Sequence, residues 1–411
     1  MKMARNSKNL IGSASLALLL AQSVALAADW PQFRGPSYNG VSEDTGVPVK
    51  LDRKDVAWKS DLPGRGLSSP IVIGDRVFVT CCSGPKEQQL QVLCFSATDG
   101  AKLWERHFWA TGRTMCQSKT CMAAPSPASD GKRIVAFFSC NDAMCLDLEG
   151  NLLWFRGLGR DYPNAGNSLG MSSSLAIAGG VVVAQVESES DAFTVGLDLE
   201  TGVNKWKLER AHKSNWSSPI VVNEAGREKV ILLSSKSVSA IDPDTGKVIW
   251  ESTNAGGSIP STACSGGVLF VPTKAGLAAM QSSAPGEEPK QVWQSNQLRP
   301  GYASPVVLNG KVFTISDAGI MVCGAAGTGE RLWKLRLKGE LTASPLAVGN
   351  YLYCVTEAGT VQVVDITKPE GEIVSELELG ETILSTPAIS RGAIYIRSDS
   401  HLWRIGKAAT G

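Results

Sequence analysis

Histidine is nearly missing from this chain: His107, His212 and His401 are the three among 411 residues. So few, so far apart, give no basis for a multi-histidine metal centre, and each reads as a surface or loop residue. An excess of either charge is also missing. Forty basic residues stand against 39 acidic ones, for a formal net charge of +1, which leaves no electrostatic pull toward nucleic acid or an anionic membrane surface. Beyond the first 27 residues there is no long apolar run and no segment with a helical period. The chain lacks a Gly-x-Ser-x-Gly elbow, a His-Glu-x-x-His pair and a Gly-x4-Gly-Lys-Ser/Thr loop. It also lacks a Cys-x-x-Cys-His haem segment.

What is abundant is turn chemistry between short apolar runs: 42 Gly and 20 Pro among alternating Val, Ile, Ser and Thr. The runs repeat. Eight heads fall at Ser69-Pro70, Ser126-Pro127, Ser173-Ser174, Ser218-Pro219, Ser261-Thr262, Ser304-Pro305, Ser344-Pro345 and Thr386-Pro387. Each head opens a unit of about 40 to 57 residues with four short apolar runs, the pattern of propeller blades stacked around an axis. The expected fold is an all-β, eight-bladed β-propeller of four-stranded blades.

The first 27 residues read as a targeting segment. Lys2, Arg5 and Lys8 form a basic start, Leu10 to Leu20 an apolar core, and Ala25-Leu26-Ala27 a small-x-small cleavage site. Export to the periplasm or beyond is the expectation, with an uncleaved anchor as the alternative. The division that follows is 1–27 signal peptide, 28–55 lead segment, 56–407 propeller and 408–411 tail.

Reading the units in register shows which residues are ordinary. A turn of the form Asp-x-x-Thr-Gly precedes a Trp: Asp198 to Gly202 leads to Trp206, and Asp242 to Gly246 leads to Trp250, with shorter versions before Trp104, Trp154 and Trp333. Asp and Thr side chains bond the turn backbone, Gly takes the positive-φ position, and Trp covers the gap between blades. The recurrence marks the acids of blade four as turn chemistry and not a calcium site. The last unit has three strands, and Val56-Ala57-Trp58-Lys59 supplies the Trp-bearing strand it lacks, so the two termini are expected to share one closing blade.

These repeats resemble those of the PQQ-like, quinoprotein-type β-propellers, a group with pyrroloquinoline-quinone dehydrogenases and the assembly factor BamB among its members. Asp29-Trp30-Pro31-Gln32-Phe33-Arg34-Gly35-Pro36 and Pro63-Gly64-Arg65-Gly66-Leu67-Ser68-Ser69-Pro70 resemble a subgroup of exported bacterial members. The resemblance implies fold more than activity, since many members bind no quinone. In the enzymes the cofactor lies between a Trp and a disulfide of adjacent cysteines, beside a calcium ion, with an Asp as base. Cys81-Cys82 is an adjacent pair, but it ends the second strand of its blade, where the family pair precedes the first. Trp216 stands outside the repeated Trp slot and is the candidate stacking platform, the alternative being that it fills the channel mouth or a blade gap.

Ten cysteines are many for an exported chain. Cys94, Cys145 and Cys323 share a third-strand slot with Gly196, Ala240 and Ala279, which marks it as a small, packed position. Cys116 and Cys121, in the long connection from Glu105 to Ala123, are a candidate disulfide. That connection and the one from Phe155 to Gly170 lie on one face. Arg65, Arg113, Lys119, Asn167, Asn215, Trp216, Arg299, Tyr302 and Glu340 sit on connections of the same kind, a mixed set suited to a protein or glycan partner. The reading is a monomeric, exported, non-catalytic scaffold with no cofactor. The alternatives are a PQQ-dependent dehydrogenase with calcium and a degenerate site, or a carbohydrate-binding propeller.

Overall fold

The computed structural model describes residues 29–166, 168–253 and 255–407; the targeting segment and the tail lie outside the described residues, as does Asn167. The strands sort into eight sheets around one axis, each built on an antiparallel four-stranded blade as the repeat predicted, with one sheet carrying an added fifth strand. In blade one, Ile71–Ile73 lies at the axis, followed outward by Arg76–Ser83, Gln89–Ser96 and Lys102–Trp109. The inner three strands are almost wholly buried, whereas Lys102–Trp109 has only exposed and half-buried residues. That gradient explains the composition. Strands packed on both faces by neighbouring blades read as continuous Val, Ile and Ala, and only the outermost keeps the period of two.

The closing blade is built from both ends of the chain. Val56–Asp61 pairs antiparallel with His401–Ile405, which pairs in turn with Ala393–Arg397 and Ala388–Ser390. Both sheet edges that an open ring would expose are thereby satisfied.

Trp side chains knit one blade to the next. The indole N–H of Trp58 donates to the Ala97 carbonyl at 3.1 Å, Trp104 to Leu148 at 2.9 Å, Trp154 to Leu199 at 2.9 Å and Trp206 to Pro243 at 2.7 Å. Each ring also lies on the turn glycine of the following blade: a Cβ at Gly202, φ +69°, would meet Trp154 at 2.7 Å. Within blades one to six the Trp faces a small residue, so that Cys94, Cys145, Gly196, Ala240, Ala279 and Cys323 oppose Trp104, Trp154, Trp206, Trp250, Trp293 and Trp333, whereas Trp58 of the closing blade faces Arg404. This cross-strand pairing is why the slot admits Cys, Gly and Ala. The turns behave as read from sequence: the Asp198 carboxylate accepts from the Glu200 and Thr201 amides and from the Thr201 hydroxyl at 2.8–3.1 Å.

Two features escaped the repeat. The connection after blade two contains a single helical turn, Leu158–Asp161. The lead segment is not a free leader either; it crosses the face of the ring that carries the Asp-x-x-Thr-Gly turns. Trp30 bridges Val72 in blade one, the Pro31 carbonyl accepts from Ser129 in blade two, and Val41–Ser42 adds a parallel strand to Leu346–Val348 in blade seven. Arg34, 1 % exposed, donates to the Thr262 carbonyl at 3.0 Å and to that of Pro305. No described helix is long and apolar enough to cross a membrane.

Candidate functional site

The heads of the blades meet at the axis in a hydrogen-bonded collar. The backbone N–H of Ser69 donates to the Ser126 hydroxyl, Ser126 to Ser174, Ser174 to Ser218, Ser218 to Ser261, Ser261 to Ser304, Ser304 to Ser344, and Ser344 to Thr386, all at 2.8–3.0 Å. The same geometry recurs blade after blade because Ser and Thr are the smallest side chains that can accept at that distance. In blade three the collar residue is Ser174, the second of the Ser173-Ser174 pair.

Two residues before each collar position, Leu67, Ala124, Ser172, Trp216, Ile259, Tyr302, Thr342 and Leu384 form a second, variable ring. Together the two rings wall an axial funnel of about 310 Å³. Phe33 of the lead segment also lines it, so the segment that crosses the opposite face stoppers the channel there. Gln117, Lys119, Thr120 and Leu169, from the two long connections, line its mouth. Among the described residues, the funnel wall contains no Asp, Glu, His or Cys.

Lys119 belongs to the connection between blades one and two, yet it reaches across the mouth to carboxylates of blade seven. Its ammonium lies 2.9 Å from Glu357 and 3.6 Å from Glu340, and 5.3 Å from the centroid of Tyr302. The hydrogen bond to Glu357 holds its pKa above the ordinary lysine value. Glu357 also accepts from the Thr342 hydroxyl at 2.5 Å. Trp216 is half-buried and anchored by its indole N–H to the Gly170 carbonyl at 2.7 Å, which ties the second long connection to the funnel wall.

The sequence-read set therefore separates. Trp216, Tyr302, Lys119 and Glu340 come together at the mouth. Arg65 is turned inward, donating to the carbonyls of Thr120 and Ser118 and lying 3.6 Å from Glu87. Asn215 is buried, donating to the Leu233 carbonyl at 2.8 Å and accepting from Ser217. Arg113 is exposed beside a small depression lined by Ser139, Cys140 and Gly166, and Arg299 is exposed away from the funnel wall. Leu67, Ile259, Thr342 and Leu384 were not singled out from sequence, although their fixed offset from the heads was the available signal.

The adjacent cysteines lie elsewhere. Cys81 is fully buried, its sulfur 3.4 Å from Arg397, and Cys82 lies against the Arg65 carbonyl and Glu87 at 3.3 and 3.5 Å. Neither lines the funnel. A quinone at the axis would find the Trp216 ring but no cysteine pair and, among the described residues, no carboxylate of the wall to hold calcium or serve as base, so the residues present do not fit the enzymes' cofactor site. Cys116 and Cys121, the candidate disulfide, are both free thiols, and Cys116 turns to Glu87 at 3.5 Å.

A stoppered eight-bladed propeller with Trp-on-Gly seams defines the class, the quinoprotein-type propellers. The chain matches the family model described as outer membrane protein assembly factor BamB over residues 37–170, 163–260, 234–322 and 286–370, and it belongs to that family. Among solved structures, BamB from Moraxella catarrhalis superposes with a TM-score of 0.64 at 16 % identity, over 87 % of this chain and 98 % of that one. The quinohemoprotein alcohol dehydrogenase of Comamonas testosteroni gives 0.70 at 13 % identity, over 93 % and 82 %. Both likenesses are of fold. In sequence the chain is 27 % identical over 248 residues to the polyvinylalcohol dehydrogenase of Sphingopyxis sp. (strain 113P3), over 49 % of this chain. The match spans about a third of that relative, 35 % of its length.

Proposed function

We propose that this protein is a non-catalytic binding scaffold of the bacterial cell envelope, whose axial funnel takes an uncharged group of a partner protein or a small neutral ligand. The observation that carries this reading is the composition of the funnel wall: aromatic, aliphatic, hydroxyl and amide side chains with one cation and, among the described residues, no carboxylate or imidazole placed to move a proton. Trp216 and Tyr302 are the anchors that such a contact uses best. The family's description as an outer membrane assembly factor supports the envelope setting.

A second reading, a quinone-dependent dehydrogenase, is favoured by the identity to polyvinylalcohol dehydrogenase and by Trp216 at the axis. One experiment separates them. The purified protein is mixed with pyrroloquinoline quinone and calcium and assayed for dye reduction with alcohols, and in parallel used to capture partners from envelope extracts. Capture that is lost in Trp216→Ala, with no dye reduction, supports the scaffold. Quinone-dependent dye reduction overturns it in favour of the enzyme.

A further inference from the structure

Once the Trp-facing cysteines are accounted for, a separate group of sulfurs remains under the base of the long connection that carries Lys119. Cys82 ends the second strand of blade one, and Cys116 and Cys121 lie on the connection itself. Cys82 Sγ, Cys121 Sγ and a carboxylate oxygen of Glu87 all lie within 4.8 Å of one another. Cys116 Sγ is 3.5 Å from the same Glu87 Oε2. We propose that Cys82, Cys116, Cys121 and Glu87 form a structural zinc site.

Several observations point to a ligand and not to a packed apolar corner. Glu87 closes the hairpin turn after Ser83, its amide bonded to the Gly84 carbonyl, and its carboxylate lies 3.5 Å from both Cys82 and Cys116. The Met122 amide donates to Oε2 at 2.8 Å and orients it. Three thiolates and a carboxylate around a divalent cation leave two negative charges. The Arg65 guanidinium, 3.6 Å from Glu87 and shared with Asp399 at 3.4 Å, and that of Arg397, beside the neighbouring Cys81, offset part of this charge. Three soft donors and one hard one in a closed four-ligand set suit zinc over calcium or magnesium; Cys82, Cys121 and Glu87 are already mutually close, and Cys116, which lies outside that trio but against the same carboxylate, completes the set by turning its side chain inward. Burial, then Glu87, pushes the Cys116 thiol up to about 11, and burial raises Cys121 well above the ordinary thiol value. Binding releases the three thiol protons to solvent and changes no oxidation state.

Such a site clamps both ends of the segment from Cys116 to Cys121, the segment from which Lys119 crosses the funnel mouth. Its existence does not depend on what the funnel binds.

The test is metal analysis of the full chain purified under reducing conditions and given zinc, then cobalt. One equivalent of zinc is expected, resistant to dialysis, and the cobalt form is expected to show thiolate charge-transfer bands with the visible spectrum of a tetrahedral ion. Cys121→Ser and Glu87→Ala lose or weaken the metal by at least tenfold, while Cys94→Ser and Cys264→Ser keep it. Absence of bound zinc in the folded wild-type protein overturns the proposal. So does an octahedral cobalt spectrum, zinc retained by Cys121→Ser, or a disulfide between any two of Cys82, Cys116 and Cys121 in the protein as isolated from cells.

Discussion

At the scale of single residues, the seams between blades rest on one contact repeated, an indole laid on a glycine and bonded to a carbonyl. Trp154 has both parts, on Gly202 and Leu199. Trp250 differs, because blade five has no Asp-x-x-Thr-Gly turn to receive it, and its ring instead lines a cavity of about 510 Å³ with Tyr38, Lys229 and Met280. Trp154→Ala is therefore expected to cost about 3–5 kcal/mol by chemical denaturation. Trp250→Ala is expected to cost less by about 1 kcal/mol, the net worth of the missing hydrogen bond. Equal losses would mean that the indole hydrogen bond of Trp154 adds nothing to the seam. Gly66 shows the other use of glycine: a Cβ there would fall 1.9 Å from the Arg397 guanidinium, which donates to the Thr80 carbonyl at 3.0 Å across the seam of blades eight and one. Gly66→Ala must push that buried cation aside, and a melting temperature unchanged from the wild type would contradict this.

At the scale of elements, the closing strand and the lead segment behave differently under a sequence reading. Val56–Asp61 was legible because it carries the Trp-bearing pattern of its sister strands, and the last unit lacked that piece. Trp58→Pro removes an amide and an indole from the closing blade and is expected to lower the melting temperature sharply; unchanged melting would argue against closure by this strand. The lead segment has no repeat to betray it, so the path of Trp30 to Ser42 across the ring, and Phe33 as a stopper, could not be read. The funnel's variable ring was half legible. Trp216 and Tyr302 stood out by size, while Leu67, Thr342 and Leu384 are unremarkable residues made meaningful only by their place at the axis.

Closure also has a pH dependence. Glu381 takes bonds from Lys59 of the closing strand at 2.8 Å, from Ser398 at 2.5 Å and from His401 at 2.8 Å. Burial pushes its pKa up, but these three partners outweigh burial and carry it down to about 2. A carboxylate depressed on folding stabilises the protein above its unfolded value near 4.5, and that stability fades as the pH falls from there through about 2. The melting temperature of the wild type should fall more steeply than that of Glu381→Gln over this interval. Parallel curves would show that this carboxylate does not report on closure.

For the molecule as a whole, the strap of Lys119 over the mouth links the connection between blades one and two to blade seven. Lys119→Glu places like charge beside Glu340 and Glu357 and is expected to release the strap, measured as faster amide exchange across residues 112–120 with little change in global melting. Exchange equal to that of the wild type would mean that other contacts hold the strap.

The shared blade bears on how the molecule comes to exist. A strand near the beginning must wait for partners near the end, so the contact that seals the ring joins residues separated by almost the entire chain. The entropy of such a closure grows only with the logarithm of loop length, so its thermodynamic cost is modest while its search is slow. Once sealed, opening requires the ladder between Val56–Asp61 and His401–Ile405 to part before any blade can peel away. A circular permutant that joins the natural ends and cuts an inter-blade loop would keep every blade yet move the long-range step elsewhere. Its folding rate, set against an unchanged final structure, would measure what the location of the seam contributes to assembly.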